Sequence, residues 1–156
     1  MKQILLICAV LVGQSVLAAD KKPLITNPIV EKAIRKELKK PTGALTKADL
    51  AKVTLLSLDD GTKITDADLK ELAKLQQLII LNLGDTKITD VGLKEVAKLP
   101  QLTRLWLDAT QITDVGLKEL AKLQKLERLD LVATKATKAG VAELQKALPK
   151  CRISGP

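Results

Sequence analysis

The side chains that could do chemistry in this sequence are few. It contains no histidine, tyrosine or phenylalanine, one tryptophan (Trp106), two cysteines (Cys8 and Cys151), 26 Lys+Arg and 18 Asp+Glu. Without histidine there is no imidazole to act as a general base near neutral pH or to ligate zinc or haem, which excludes the commonest hydrolase and metal-site designs. An RNA-recognition surface of stacked aromatics is excluded on the same ground. The run Asp59-Asp60-Gly61 followed by Asp66-x-Asp68 raises calcium, but its spacing does not match a calcium loop, and helix caps or turns account for these positions. There is no phosphate-cradling glycine loop and no serine-centred elbow. No enzyme, no metal and no cofactor is therefore expected. The groups best suited to recognition are Trp106 and the arginines near it, Arg104 and Arg128, because Trp and Arg combine a large buried area with a directed polar group.

What must position them is a repeat. Leu78-x-x-Leu81-x-Leu83-x-x-Thr86-x-Ile88-Thr89-Asp90-Val91-Gly92-Leu93-Lys94-Glu95 recurs from Leu102, with Leu105, Leu107, Thr110, Ile112-Thr113-Asp114 and Gly116-Leu117 at the same offsets. A further copy begins at Leu126, and an earlier one at Val53 is one residue longer because of Gly61. Leu81-x-Leu83 alternates with period two, so both leucines point to one side of a short strand. Thr89 then caps a helix running to about Lys98, with Asp90 beside the positive end of its dipole and Leu93, Val96 and Ala97 facing inward. A single strand–turn–helix unit cannot cover its own apolar face, so stacked copies share one core.

The spacing and the phrase Ile-Thr-Asp-x-Gly-Leu resemble leucine-rich repeats of the bacterial kind, over about two thirds of the chain. The resemblance implies an α/β fold, a leucine-rich repeat right-handed solenoid with a short curved parallel sheet on the concave side and helices on the convex side. Asn27-Pro28 opens a helix with Val30, Ile34 and Leu38 on one face, and Thr46 with Asp49 opens a second; this stretch resembles the helical N-terminal cap of internalin-type repeat proteins. The phrase is also similar to the repeat arms of F-box ubiquitin-ligase adaptors, from which only the repeat architecture is carried over. The expected organisation is a signal peptide over 1–18, a linker over 19–26, a helical cap over 27–52 and repeats over 53–156, starting near 53, 78, 102 and 126 and ending in a C-terminal edge at 148–156. Spacing alone leaves open whether Arg152-Ile153 forms a last strand in register. In repeats of this type an asparagine often stands where Thr62, Thr86, Thr110 and Thr134 stand here, bonding the neighbouring turn, and the hydroxyl is expected to do the same more weakly. Asp68 interrupts the column Gly92, Gly116, Gly140, so positive φ is not the reason for the glycines.

The N-terminal residues read as a secretory signal. Lys2 precedes an apolar run from Ile4 to Gly13, shorter than the ~20 residues that span a bilayer, and Val16-x-Ala18 fits cleavage after Ala18. Export to the periplasm or outside the cell follows, with no membrane span in the mature chain. Cleavage removes Cys8, so Cys151 has no intramolecular partner and reads as a small apolar residue, with an intermolecular disulfide as the alternative. The formal charge of +8 divides unevenly: residues 53–156 hold 16 basic and 14 acidic residues, and residues 20–52 hold 9 and 4. Basicity therefore belongs to the segment before the repeats and does not point to nucleic acid. The Lys and Glu columns of the helices read as a solvated surface.

With the leucines turned inward, Leu55, Ile80, Asn82, Arg104, Trp106, Asp108, Arg128 and Asp130 project from the concave face. At ~4.8 Å between strands, Trp106 stands between Asn82 and Asp130, with Arg104 and Arg128 in the next column. Three readings follow: a monomer that binds a protein partner through this face, a binder of glycan or anionic envelope polymer using Trp106 and the basic segment, or a structural element that self-associates through Cys151 or an open strand. Against all three stands the plain reading that Trp106 is a chance exposed residue among solubilising arginines.

Overall fold

The computed structural model describes residues 22–59 and 63–156; residues 1–21, which include the expected signal peptide, and Asp60, Gly61 and Thr62 lie outside them. Two helices, α1 (Pro28–Glu37) and α2 (Lys47–Leu50), precede the repeats. The Asn27 side chain accepts from the N–H groups of Ile29 and Val30, and Pro28 in the first turn sacrifices no helical donor. At α2, Thr46 and Asp49 form a reciprocal capping box, to which Lys40 adds an ion pair at 2.8 Å. Lys40 first, then the Thr46 N–H, hold the Asp49 carboxyl far below its usual value. Val30 and Ile34 are fully buried, and α1 packs against the first strand and the first convex helix. Ile25 is also in the core, at 2 % exposure.

The repeats then alternate β1 (Leu55–Ser57), a 3-10 helix (Asp68–Lys74), β2 (Ile80–Asn82), α3 (Asp90–Val96), β3 (Arg104–Trp106), α4 (Asp114–Leu120), β4 (Arg128–Asp130), α5 (Lys138–Ala147) and β5 (Arg152–Ser154). The strands form one parallel sheet in chain order, with Leu56, Leu81, Leu105, Leu129 and Ile153 in register, so Arg152–Ser154 is a fifth strand. The backbone ladder continues past the strands, for example from the Leu83 N–H to the Trp106 carbonyl at 3.0 Å and from the Asp85 N–H to the Asp108 carbonyl at 2.9 Å. Inside, Leu78, Leu81, Leu83, Ile88, Leu93, Val96 and Leu99 are all completely buried, and the same offsets are buried in the next coil. Each such side chain is worth roughly 1.5–3 kcal/mol against its exposed state, so leucine layers alone can support a core without phenylalanine or tyrosine.

Between coils the chain uses a carboxylate. The Thr89 N–H and hydroxyl donate to the two oxygens of Asp66, at 2.9 and 2.6 Å. Thr113 does the same to Asp90 (2.8 and 2.6 Å), and Thr137 to Asp114 (2.7 Å each). The same hydroxyls accept from Val91, Val115 and Gly140 N–H groups and so cap the convex helices. Each aspartate thus orients the hydroxyl that caps the helix of the following coil. The Thr137 N–H first, then its hydroxyl, keep the Asp114 carboxyl below the ordinary value.

This clamp also accounts for the glycine column. A Cβ on Gly92 would sit 2.5 Å from Asp66 Oδ1, and on Gly116 or Gly140 closer still to Asp90 or Asp114. None of the three glycines has positive φ, as the sequence implies; the left-handed turn residues are Asp85, Ala109 and Ala133. Asp68 replaces glycine in the first coil, where it accepts from the N–H and hydroxyl of its own Thr65 and from the Asn27 amide.

Two expectations need correction. Thr86, Thr110 and Thr134 do not bond a neighbouring turn: each hydroxyl donates to a carbonyl three residues earlier in its own coil, Leu83 at 2.6 Å in the first case. These hydroxyls find an acceptor in their own turn, at the Leu83, Leu107 and Leu131 carbonyls. The helix expected to reach about Lys98 ends at Val96, with Ala97 as its cap and a turn beyond.

Gly116→Ala should destabilise the protein by forcing Asp90 off Thr113, since the other close neighbour, the Leu93 Cδ1 methyl at 2.9 Å, ends a flexible side chain. Asp90→Ala should cost about 1–2 kcal/mol for the two bonds and the weakened cap. In that background Gly116→Ala should turn neutral or stabilising, because alanine is the better helix former by ~1 kcal/mol. Denaturant unfolding of the four-member cycle checks this, and additive costs would sink it.

Candidate binding face on the concave sheet

Strand register arranges the outward side chains of the sheet in rows. At the strand starts lie Leu55, Ile80, Arg104, Arg128 and Arg152; two residues on lie Ser57, Asn82, Trp106, Asp130 and Ser154. Past the strand ends come Asp59, Gly84, Asp108 and Val132. Trp106 is half-buried between Asn82 and Asp130, and Arg104 stands between Ile80 and Arg128, so the expected residues are brought together on one face. A shallow depression there is lined by Trp106, Arg128, Asp130, Arg152 and Ser154 over the Leu105 and Leu129 backbone.

The side chains differ in how free they are. The Asn82 amide donates to Asp59 at 2.8 Å and its oxygen accepts from the Gly84 N–H at 2.9 Å, so it is held by its own surroundings. Asp130 Oδ1 accepts from the Val132 N–H at 3.0 Å, which fixes the carboxylate beside the ring of Trp106. The Asp108 carboxylate rests over Gly84, where a Cβ would come within 2.6 Å of it. The arginines are different. All three are exposed, and among the described residues none of Arg104, Arg128 and Arg152 takes part in any of the six ion pairs. On the convex side, by contrast, Lys74, Lys98, Lys122 and Lys146 each pair with a glutamate three residues earlier. Leu55, at 38 % exposure, and half-buried Ile80 extend the face with apolar area.

Arg152 and Ser154 escape a reading of the sequence that stops at the last full repeat. The signal is present nonetheless: Arg104-Leu105, Arg128-Leu129 and Arg152-Ile153 recur at the repeat interval. Of the acidic residues that raise calcium, Asp60 lies outside the described residues and the other three are engaged elsewhere. Asp59 accepts from Ser57 and Asn82, Asp66 from Thr89, and Asp68 from Thr65 and Asn27. Among the described residues no three metal-binding side chains cluster, and no helix is long and apolar enough to cross a membrane.

The parallel sheet, the convex helices and the repeated leucine layers define a leucine-rich repeat solenoid. The family of leucine-rich repeats (two copies) matches residues 76–119. Among solved structures the chain is similar to internalin C2 of Listeria monocytogenes str. 4b F2365, at 26% identity and TM-score 0.64 over 84% of this chain and 54% of that one. It is similar to internalin F of the same strain at 26% identity and TM-score 0.66, over 88% of this chain and 39% of that one. It therefore spans about half the length of the first and about two fifths of the second. The Chaetomium Mex67:Mtr2 subunits share the fold alone, at 20% identity and TM-score 0.54, with 80% of this chain and 88% of that one covered. No curated protein sequence matches the chain. The chain thus has the leucine-rich repeat fold, and its likeness to internalins is one of structure.

Cys151 is 3 % exposed and forms no disulfide among the described residues; burial pushes its thiol up to about 11. At pH 8 the thiolate should be scarce in the folded protein and abundant once the chain unfolds, where cysteine titrates near ~8.5. An aromatic disulfide reagent should therefore label Cys151 slowly in the native state and at once in denaturant. Rapid native labelling would show a thiol open to intermolecular bonding.

Proposed function

We propose that this protein is an exported binding module that holds another protein on its concave face, with Trp106 at the centre and Arg104, Arg128, Asn82, Asp108, Asp130, Ile80 and Leu55 around it. The observation that carries the reading is the place of Trp106. A core made of Leu, Ile, Val and Ala has no aromatic member, and the one aromatic side chain stands half-buried on the open sheet beside arginines that nothing in the described structure neutralises. Large rigid aromatic surface next to directed cationic groups is the composition of binding hot spots. Leucine-rich repeat proteins commonly serve protein–protein interaction, and the longer internalins share the repeat geometry. Asp59, Asp108 and Asp130 on the same face weigh against an anionic envelope polymer as the ligand there. Catalysis and a bound cofactor have no support in the engaged carboxylates and the buried thiol.

Trp106→Ala should weaken capture of a partner from the source organism's envelope by ~2 kcal/mol or more while leaving the circular dichroism and unfolding midpoint near wild type. Unchanged capture would end this reading. Export rests on the reading of residues 1–18 alone; the mature protein should then begin at Ala19 by N-terminal sequencing, and a mature chain that retains Met1 would refute it.

A further inference from the structure

Along the strands the concave face passes from a basic first row to carboxylates in the second and third. On the strand-start side Arg104, Arg128 and Arg152 stand in one column at ~4.8 Å intervals. Three guanidinium groups at that spacing repel one another, and no described carboxylate relieves them. Asp130 stands beside Trp106 in the middle row, and Asp108 lies in the third row, two residues past Trp106. The turn N–H of Val132 and the close approach over Gly84 hold these carboxylates in place, so they do not fold back onto the arginines. A uniform polyanion laid on the arginines would meet the aspartates, and a polycation laid on the aspartates would meet the arginines.

We propose that the occupant of this face is an amphipathic α-helix of a protein partner, lying across the strands, with carboxylates along the flank over the arginine column, a central stripe that is apolar over Trp106 and basic where it crosses Asp130, and basic residues along the flank over Asp108. This deepens the concave-face reading and rests on it. The dimensions agree. On a helix, positions i, i+4 and i+7 advance by about 6 and 4.5 Å, close to the ~4.8 Å strand spacing, whereas alternate residues of an extended strand are ~6.8 Å apart. The helix diameter of ~10–12 Å fits the roughly 13 Å between the first and third rows of the sheet. A carboxylate seated between adjacent arginines meets two planar forks whose geometry suits it.

The test uses a synthetic helix of about 20 residues, long enough to hold helical structure, with glutamates at i, i+4 and i+7 on one flank, leucines in the centre and lysines on the other. Trp106 emission reports binding at low salt, where attraction between charges is strongest. The segregated peptide should bind about tenfold or more tightly than a helical isomer with the charges interspersed, and the Arg128→Gln/Arg152→Gln variant should lose about tenfold. Equal binding of the two isomers, no binding of either, or tighter binding of decaglutamate or dextran sulfate would overturn the proposal, the last by making the face a polyanion site. Envelope capture separates the two levels: loss with Trp106→Ala but not with the double arginine variant overturns the helix and keeps the concave reading, and loss with neither overturns both.

Discussion

Each interior coil is joined to the next by one carboxylate that reads both the N–H and the hydroxyl of a threonine. The bond matters beyond its own strength, because the same hydroxyl caps the convex helix of the receiving coil and the same carboxylate occupies the space that a side chain on the third helical residue would need. Cap, glycine and coil spacing are therefore one constraint. Once coils are stacked in this register, the inward leucines form continuous layers and the parallel ladder aligns the outward positions in columns. The columns are what make an arginine row possible at all: three residues far apart in sequence stand a strand spacing from one another because the parallel ladder pairs their strands in register, with Asp114 also clamping the coil of Arg104 to that of Arg128.

Much of this is visible in the sequence, for a physical reason. Strand periodicity and helix caps are local, so the alternation Leu81-x-Leu83 and the threonine before each aspartate reveal strands and helix starts directly. The repeat interval supplies the third dimension, and Trp106 between Asn82 and Asp130 follows from counting. What spacing does not reveal is the second engagement of a group that already has a local explanation. Asp90 looks sufficient as an acid at the start of its own helix, yet its firmest partners lie 23 residues on in Thr113. Thr86 shows the converse: its partner is nearer than the family comparison implies, because the Leu83 carbonyl of its own turn accepts the hydroxyl.

The candidate face illustrates the same division. Which residues point outward is set by period two and is legible. Which of them are free is not, since Asn82 is occupied by Asp59 and Gly84 while Arg128 has no partner, and both are ordinary polar residues in the sequence. Convex lysines find glutamates within their own helices, at the separation where side chains of a helix meet. Concave arginines have no acidic strand neighbour in register. The two faces of the solenoid thus differ in arrangement: the convex lysines at the ends of the helices are paired, whereas the concave arginines form an unpaired column among the described residues.

Asp68 and Lys138 occupy the two positions where the clamp pattern is broken. At the first, an aspartate stands where the later coils need glycine and turns inward on its own Thr65 and on Asn27. At the second, a lysine stands where the earlier coils carry the clamping aspartate, and the ladder stops at Thr137. Between them each unit receives and donates one identical joint, so whole coils are interchangeable in a way that fractions of a coil are not. The chain is punctuated like a sentence whose opening and closing marks differ from the letters between them: its interior is built of whole units with identical joints, and these two residues mark where the joint changes.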